Sequence, residues 1–347
     1  MQNNKKALVA MSGGVDSAVA AFLTKKEEPS SAGAIMELCH GDNSQQIQSA
    51  KAIADRLNMA FYVINMQDDF RREVVRDFVD TYEGGHTPNP CIRCNTKIKF
   101  GKFVDWAKEN GFTSVVTGHY ARIEKRGDRY LLRKAVDEAK DQSYFLYTLT
   151  QEQLAFVRFP LGEMTKEQAR EIAEANNFEN AKQRDSQDIC FVPDGDYASV
   201  IKEHTGKEYE PGEFVTPDGL VLGQHKGVIH YTIGQRRGLG LAVPESVYVH
   251  RVDVENNKVI VGSEDALFSK ELMAHSVNWI TMEPPIEPVR VKARVRYRQK
   301  EQWAWAQSTG EGTLRVVFDE PQRAITPGQS VVLYDGEYVV GGGIIRT

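Results

Sequence analysis

The sequence predicts an α/β protein in three parts. A mostly parallel sheet covered by helices occupies residues 1–197, a small central domain 198–266, and an antiparallel β-barrel 267–347. Three observations predict it. Strand-like and helix-like segments alternate through the first part, which argues for a parallel sheet with crossover helices. After about Tyr197, glycine, proline and aspartate become frequent and β-like runs dominate. The 347 residues, at roughly 100–200 per domain, give room for two or three cores.

The elements follow in order. Residues 7–11 form a short apolar run between polar neighbours, the pattern of a buried strand. Val15, Ala18, Val19, Phe22 and Leu23 then recur at helical spacing. Residues 33–36 predict a second strand. Ile47, Ala50, Ala54 and Leu57 predict a helix, with Asp42, Asn43 and Ser44 as candidate caps. Residues 61–64 read as strand, and Phe70, Val74, Phe78 and Tyr82 as one helical stripe. A helix over 97–110 precedes a strand at 114–117. Beyond 197, runs at 212–224, 247–261, 289–298, 313–319 and 330–345 read as strands. Asp218-Gly219, Glu255-Asn256-Asn257 and Asp335-Gly336 fit hairpin turns. The chain has no internal repeat and no low-complexity segment.

Composition narrows the function. With 41% hydrophobic and 26% charged residues, the chain has the make-up of an ordinary globular protein, not of a disordered one. No apolar stretch approaches the roughly 18 residues of a membrane span. The five apolar residues before Ser12 are too few for a signal-peptide core, so the expected compartment is the cytoplasm. A net charge of −5 excludes a basic field over the whole molecule, so nucleic acid would need a local patch. Four cysteines, Cys39, Cys91, Cys94 and Cys190, are too sparse for a disulfide scaffold and point to catalysis, redox chemistry or metal.

Ser12-Gly13-Gly14-Val15-Asp16-Ser17 stands between the first strand and its helix. Two glycines let the backbone approach an anion, and the helix start supplies free N–H groups and the positive dipole end. Ser12 and Ser17 add hydroxyls, and Asp16 could hold Mg²⁺ against phosphates or cap the helix. The bland alternative is a glycine-rich turn with a cap. The hexapeptide is neither the kinase-like P-loop nor the GxGxxG fingerprint.

Thr87-Pro88-Asn89-Pro90-Cys91-Ile92-Arg93-Cys94-Asn95 predicts a proline-stiffened loop presenting a CxxC pair. Cys94, near a helix start and beside Arg93, Lys97 and Lys99, is a plausible thiolate. Cys190 lies in Asp185-Ser186-Gln187-Asp188-Ile189-Cys190-Phe191. Structural zinc would need a fourth ligand, which a histidine could supply; a zinc deaminase would need an upstream H-x-E, and a thioredoxin-like pair leaves the glycine loop unexplained. What remains is sulfur chemistry, with one thiolate carrying a sulfur atom and another assisting.

Arg290, Lys292, Arg294, Arg296, Arg298 and Lys300 alternate with other residues, and the eleven residues 290–300 contain no acid. On one strand, period 2 puts six cations on a single face, which suits a phosphate backbone better than an ordinary solvated surface. Tyr297 could pack in the core or stack on a base. Gln235-Arg236-Arg237 forms a second basic turn. Trp303 and Trp305 share one face and are expected in the core.

The glycine loop resembles the SGGxDS loop of the PP-loop ATP pyrophosphatases (adenine nucleotide alpha-hydrolase-like domains). These split ATP between its α and β phosphates and adenylate a substrate oxygen. The ordered set of motifs is similar to one family over nearly the whole chain, the tRNA-specific 2-thiouridylases. The motifs are SGGVDS at 12–17, TPNPCxxCN at 87–95, Thr117-Gly118-His119-Tyr120, residues 140–146, Asp188-Ile189-Cys190-Phe191, residues 234–240, Arg296-Tyr297-Arg298-Gln299 and the ending 341–345. The resemblance implies a PP-loop domain, a central domain and a C-terminal β-barrel. It implies ATP and Mg²⁺ at Ala10, Met11, Ser12, Gly13, Gly14, Val15, Asp16 and Ser17, with the adenine side near Met36 and Gly118. The wobble uridine of tRNA would be flipped toward Asn89, Pro90 and Cys91 and adenylated on its C2 oxygen. Cys190 would carry a persulfide and Cys94 would assist, with a Cys94–Cys190 disulfide forming during turnover. Sulfur would come from a cysteine desulfurase or a relay protein. Lys140, Asp141, Gln142, Arg296 and Tyr297 would contact the tRNA. Some family members carry Asp where this chain has Cys91. With a cysteine there, Cys91, Cys94 and Cys190 could instead hold a 4Fe-4S cluster. Cys39 has no role beyond that of a buried thiol.

Overall fold

Four apolar residues between polar neighbours fit the middle of a sheet. The structure, a computed structural model describing residues 6–39, 43–178, 189–192 and 195–346, places β1 (Ala7–Ala10) there. The described chain divides into two units. The first comprises 1–74, 91–187 and 335–341, and the second 75–90, 188–334 and 342–347.

In chain order the first unit opens with β1, α1 (Val15–Glu27), β2 (Ala32–Glu37), α2 (Ser44–Arg56) and β3 (Ala60–Asn65). Then α3 (Gln67–Phe70) leads through a π-helical turn at Arg71–Val75 to α4 (Arg76–Glu83), which belongs to the second unit. α5 (Pro90–Cys94), a π-helical stretch at Asn95–Lys102 and α6 (Phe103–Glu109) follow as one helical run. β4 (Ser114–Val116), the hairpin β5 (Ala121–Arg126) and β6 (Arg129–Lys134), α7 (Gln151–Phe156), β7 (Val157–Arg158) and α8 (Lys166–Ala175) complete it.

The sheet order is β3-β2-β1-β4-β7, with every pairing parallel. Parallel neighbours need crossovers, and helices supply them. Small and branched residues on the buried faces of α1, α2 and α8, among them Ala18, Val19, Ala50, Ile53, Ala169 and Ala173, pack one continuous core with Val9 and Val116 of the sheet. The chain runs to one side of β1 through β2 and β3, then returns to the other side with β4. The switch point therefore lies between β1 and β4, where α/β sheets bind ligands at the carboxyl ends of strands.

The first unit also draws on the far end of the sequence. Glu337 accepts hydrogen bonds from Arg122 and Arg133, each at 2.6 Å, and Tyr338 pairs with Arg133.

The second unit holds α9 (Tyr197–Thr205), β8 (Gly212–Val215), β9 (Val221–His225), β10 (Tyr248–Asp253) and β11 (Lys258–Gly262), in the sheet order β10-β11-β8-β9. Phe78, Val79 and Tyr82 of α4 join Ile201, Phe214, Val249 and Val259 in its core. β12 (Phe268–Trp279), β13 (Val289–Arg294), β14 (Gln302–Gly310), β15 (Thr313–Arg323), β16 (Ser330–Asp335) and β17 (Tyr338–Arg346) form an antiparallel barrel, ordered β12-β15-β14-β13-β16-β17 and closed by β12–β17 pairing. The fold is thus an α/β domain with a parallel sheet, a small β domain and a terminal β-barrel. Among the described residues, no helix is long and apolar enough to cross a membrane.

Three local expectations change. The CxxC segment is a helix start: Pro90 occupies its first position, where a missing N–H matters least. The cationic strand ends at Arg294, and Arg296, Arg298 and Lys300 follow it in a turn. Trp303 and Trp305 face outward, half exposed at 50% and 47%, because Ala304 and Ala306 take the barrel interior. Two small alanines fit a narrow barrel where two indoles would not.

Candidate nucleotide site and thiols

The loop after β1 is closed on itself. The Ser17 hydroxyl donates to the Gly14 carbonyl at 2.9 Å and accepts from the Ser12 N–H at 3.1 Å. Gly14 is the N-cap of α1, with no side-chain cap, so the first N–H groups of that helix open onto the loop. Gly13 sits at φ +78°, and a side chain there would also press on Gln46 and Ser49 of α2. Gly118, in the loop after β4, packs on the Asp16 and Ser17 backbone. A Cβ there would lie 2.9 Å from the Asp16 carbonyl carbon. The two loops thus meet at the switch point. Ala10 and Met36 lie at the carboxyl ends of β1 and β2, while Met11 and Val15 are buried supports.

Asp16 is held by a shell of its own. Tyr120 donates its phenol to Oδ1 at 2.8 Å, and the Lys166 ammonium reaches both carboxylate oxygens, at 2.7 and 2.8 Å. Tyr120 is fixed in turn by Gln142, whose Oε1 accepts the Tyr120 N–H and whose own N–H donates to the Tyr120 carbonyl. His119 stacks near Phe100 and Phe159, and its Nδ1 lies 2.7 Å from the Thr117 hydroxyl. Loss of water lowers its pKa well below the usual histidine value, and the charge of Lys99 adds to that, so the ring is neutral. Tyr120 belongs to a motif visible in the sequence. Lys166 had no such signal, because its partner lies 150 positions away.

None of the four cysteines, all among the described residues, is joined in a disulfide. Cys91 is exposed on the first turn of α5, and Cys94 is buried one turn later. Arg93 is tied to the Glu73 carbonyl at 2.9 Å. In the second unit, the residues leading into α5 are anchored by Gln329, which donates to the carbonyls of Thr87 and Pro88 at 3.1 and 2.9 Å. This places Asn89 and Pro90 at the end of a braced segment. Cys190, also in the second unit, is exposed in a turn whose neighbours are buried or stacked: Val192 is in the core and Phe191 packs on Phe78 at 5.2 Å. Residues 185–188 of its motif, like His40, Gly41 and the candidate cap Asp42, lie outside the described residues. Cys39 is half-buried beyond β2, not fully buried.

Among the described residues, no three His, Cys, Asp or Glu side chains gather as a metal's ligand set. A Mg²⁺ carried in by nucleotide phosphates takes only one or two protein carboxylates, and Asp16 fits that lesser demand.

The residues expected to contact tRNA differ in burial and in partners. Asp141 is buried, and its carboxylate accepts from the N–H groups of Ala135 and Ser143 and from the Ser143 hydroxyl. Gln142 serves Tyr120, as described. The Asp141 carboxylate is thus engaged within the fold, and the half-buried Gln142 side chain is engaged with Tyr120. The preceding Lys140 is half-buried in a turn, its N–H bonded to the Asp137 carbonyl. Arg296 donates to the Ala324 carbonyl at 2.9 Å and the Thr326 hydroxyl at 2.8 Å, an internal anchor. Tyr297 is half-buried in the turn after β13. Arg290 pairs with Asp319, and Arg294 with Glu301, so with Arg296 half of the six cations have an acid or a carbonyl beside them.

A double-glycine turn at the switch point of a parallel sheet defines a class of α/β domains built to take nucleotide phosphates. Comparison with known proteins is more specific. Family models match in order along the chain: "tRNA methyl transferase HUP domain" at residues 5–194, "tRNA methyl transferase PRC-barrel domain" at 198–263, and "Aminomethyltransferase beta-barrel domain" at 269–345. The chain is 46% identical to the tRNA-specific 2-thiouridylase MnmA of Acetivibrio thermocellus, over 99% of this chain and 100% of that protein. It is also 46% identical to that of Clostridioides difficile, over 99% and 98%. The chain belongs to the MnmA family of tRNA-specific 2-thiouridylases. One solved structure, the U34-tRNA thiolase NcsA from Methanococcus maripaludis with its 4Fe-4S cluster, superposes with a TM-score of 0.36 at 17% identity, over 58% of this chain and 63% of that one. A likeness that distant transfers no ligand and no residue.

Proposed function

We propose that this chain is a tRNA-uridine 2-sulfurtransferase that replaces the C2 oxygen of the wobble uridine with sulfur at the expense of ATP. The observation that carries the reading is full-length similarity, at 46% identity, to tRNA-specific 2-thiouridylases. The double-glycine turn, the braced residues Asn89, Pro90 and Cys91, and a buried thiol paired in sequence with an exposed one support it.

In the proposed chemistry the uridine C2 oxygen attacks the α-phosphorus of ATP and pyrophosphate leaves. The loop Ser12–Ser17 supplies N–H donors to the phosphates, Asp16 holds Mg²⁺ against them, and Met36 and Gly118 border the adenine. The bound Mg²⁺ neutralises phosphate charge. Adenylation converts a poor leaving group into AMP. A persulfide on Cys190, loaded by a cysteine desulfurase or relay protein, then attacks C2 through its terminal sulfur. The Cys94 thiolate attacks the Cys190 sulfur, so the S–S bond of the persulfide breaks and a Cys94–Cys190 disulfide forms. AMP departs, and an external dithiol reduces the disulfide. Exposure of Cys190 suits loading by another protein, and burial of Cys94 suits protection from stray oxidants. Lys140, Arg298 and Lys300 are the cations best placed to meet RNA.

The test is mass analysis of nucleosides from tRNA incubated with the protein, ATP, Mg²⁺ and a persulfide donor. The expected product is 2-thiouridine at the wobble position, with AMP and pyrophosphate in equal amounts. Product formation that persists in Cys190→Ser removes the assigned carrier.

A further inference from the structure

The Asp16–Lys166 ion pair is placed where structural economy alone would not put it. Lys166 is the first residue of α8, and the helix dipole disfavours a cation in that turn. The residue is 7% exposed, so its ammonium is also largely stripped of water. Methionine would fill the same space with neither penalty. The ammonium nonetheless chelates both oxygens of Asp16, 150 positions away, while Tyr120 steadies one of them. Asp16 stands in the first turn of α1, directly behind Gly13 and Gly14. Left uncompensated, its negative charge would oppose the phosphates that the helix start attracts.

We infer that Lys166 is a positioning residue of the nucleotide site: it aims the Asp16 carboxylate and cancels its charge, so that the polyphosphate of ATP meets a loop that is positive on balance. The inference rests on the ATP-binding part of the reading above and reaches beyond it by adding a residue that no loop motif contains. The competing account is a staple that merely fastens α8 to α1.

Binding of ATP to the full chain without tRNA or sulfur donor, measured by calorimetry with and without Mg²⁺, separates the two. Lys166→Met is expected to weaken ATP by roughly tenfold or more, the worth of a hydrogen bond to a charged group. The loss should be largest without Mg²⁺, where nothing else offsets Asp16. Lys166→Arg should recover part of the affinity, and tRNA affinity should stay unchanged. A folded Lys166→Met protein that binds ATP within about twofold of the parent, under both conditions, overturns the inference, since one hydrogen bond to a charged group is worth more than that. If Lys166→Met does not fold, Lys166→Gln takes its place under the same criterion. If neither folds, the residue is a staple and the inference fails. A parent protein that binds ATP yet makes no 2-thiouridine would sink the proposed reaction without touching Lys166.

Discussion

Two stretches of this chain carry the marks of phosphate capture, the double-glycine turn at 12–17 and the cationic run at 290–300, and the fold treats them in opposite ways. The turn presents backbone N–H groups fixed by a local hydroxyl clasp between Ser12 and Ser17, and only its one carboxylate, Asp16, is answered from afar, by Lys166 and Tyr120. The run presents side chains, and other parts of the second unit claim half of its six cations. Asp319 takes Arg290, Glu301 takes Arg294, and the segment around Ala324 takes Arg296. Anion sites made of backbone keep their chemistry through folding. Stripes of charged side chains keep only what their neighbours leave.

Four substitutions and one titration sharpen that contrast. Asp16→Asn strikes the turn itself. It keeps a hydrogen-bond acceptor for Tyr120 but removes the charge, and adenylation should fall by about 10²–10³-fold, as when one preorganised electrostatic partner is lost. Single-turnover release of pyrophosphate measures it. Arg296→Met should destabilise the second unit by about 1.5–3 kcal/mol through loss of hydrogen bonds to a charged group. Urea midpoints read this, and an unchanged midpoint would return Arg296 to the RNA-facing set. Gly118→Ala forces a methyl against the Asp16 backbone and should cost about 1–3 kcal/mol by overpacking. ATP should then protect the variant from thermal unfolding less than it protects the parent.

His119 gives a pH test. Its folded pKa lies below the unfolded value near 6.5, so the unfolded chain binds the extra proton first. Stability from this residue is complete above about pH 6.5 and falls as pH drops toward the folded pKa, by at most about 1.4 kcal/mol per pH unit. His119→Gln should flatten that slope in denaturation curves taken across the acid range. The smallest effect belongs to Trp303→Ala. The ring is half exposed beneath Arg290 at 4.8 Å, and its removal should change stability by no more than about 0.5 kcal/mol, as for most surface sites. A loss of several kcal/mol would mean that the indole is part of the core after all.

Much of the architecture was legible because it is written locally. The apolar runs at 7–11, 33–36 and 61–64 became parallel strands within a residue or two of their expected ends, and Asp218-Gly219 became a hairpin turn with Gly219 at φ +92°. The glycine loop was legible because six consecutive residues make it. Other features depended on distance. Whether Trp303 points inward depends on the bore of a barrel that six strands define together. Asp141 and Gln142 look like surface polar residues until the hairpin brings Ala135 and Tyr120 to them. The CxxC segment looked like a loop because two prolines flank Asn89. Pro90 instead starts a helix, which moves Cys94 from a helix terminus to one turn inside it.

Glu337 clamps Arg122 and Arg133, and Gln329 braces the segment ahead of Cys91. Both tasks fall to residues far along the chain from the partners they hold, 204 and 215 positions for Glu337 and 241 for Gln329. The β5–β6 hairpin and the segment ahead of Cys91 therefore wait on residues 204 to 241 positions downstream, and a truncation before Gln329 would strip the braces from both.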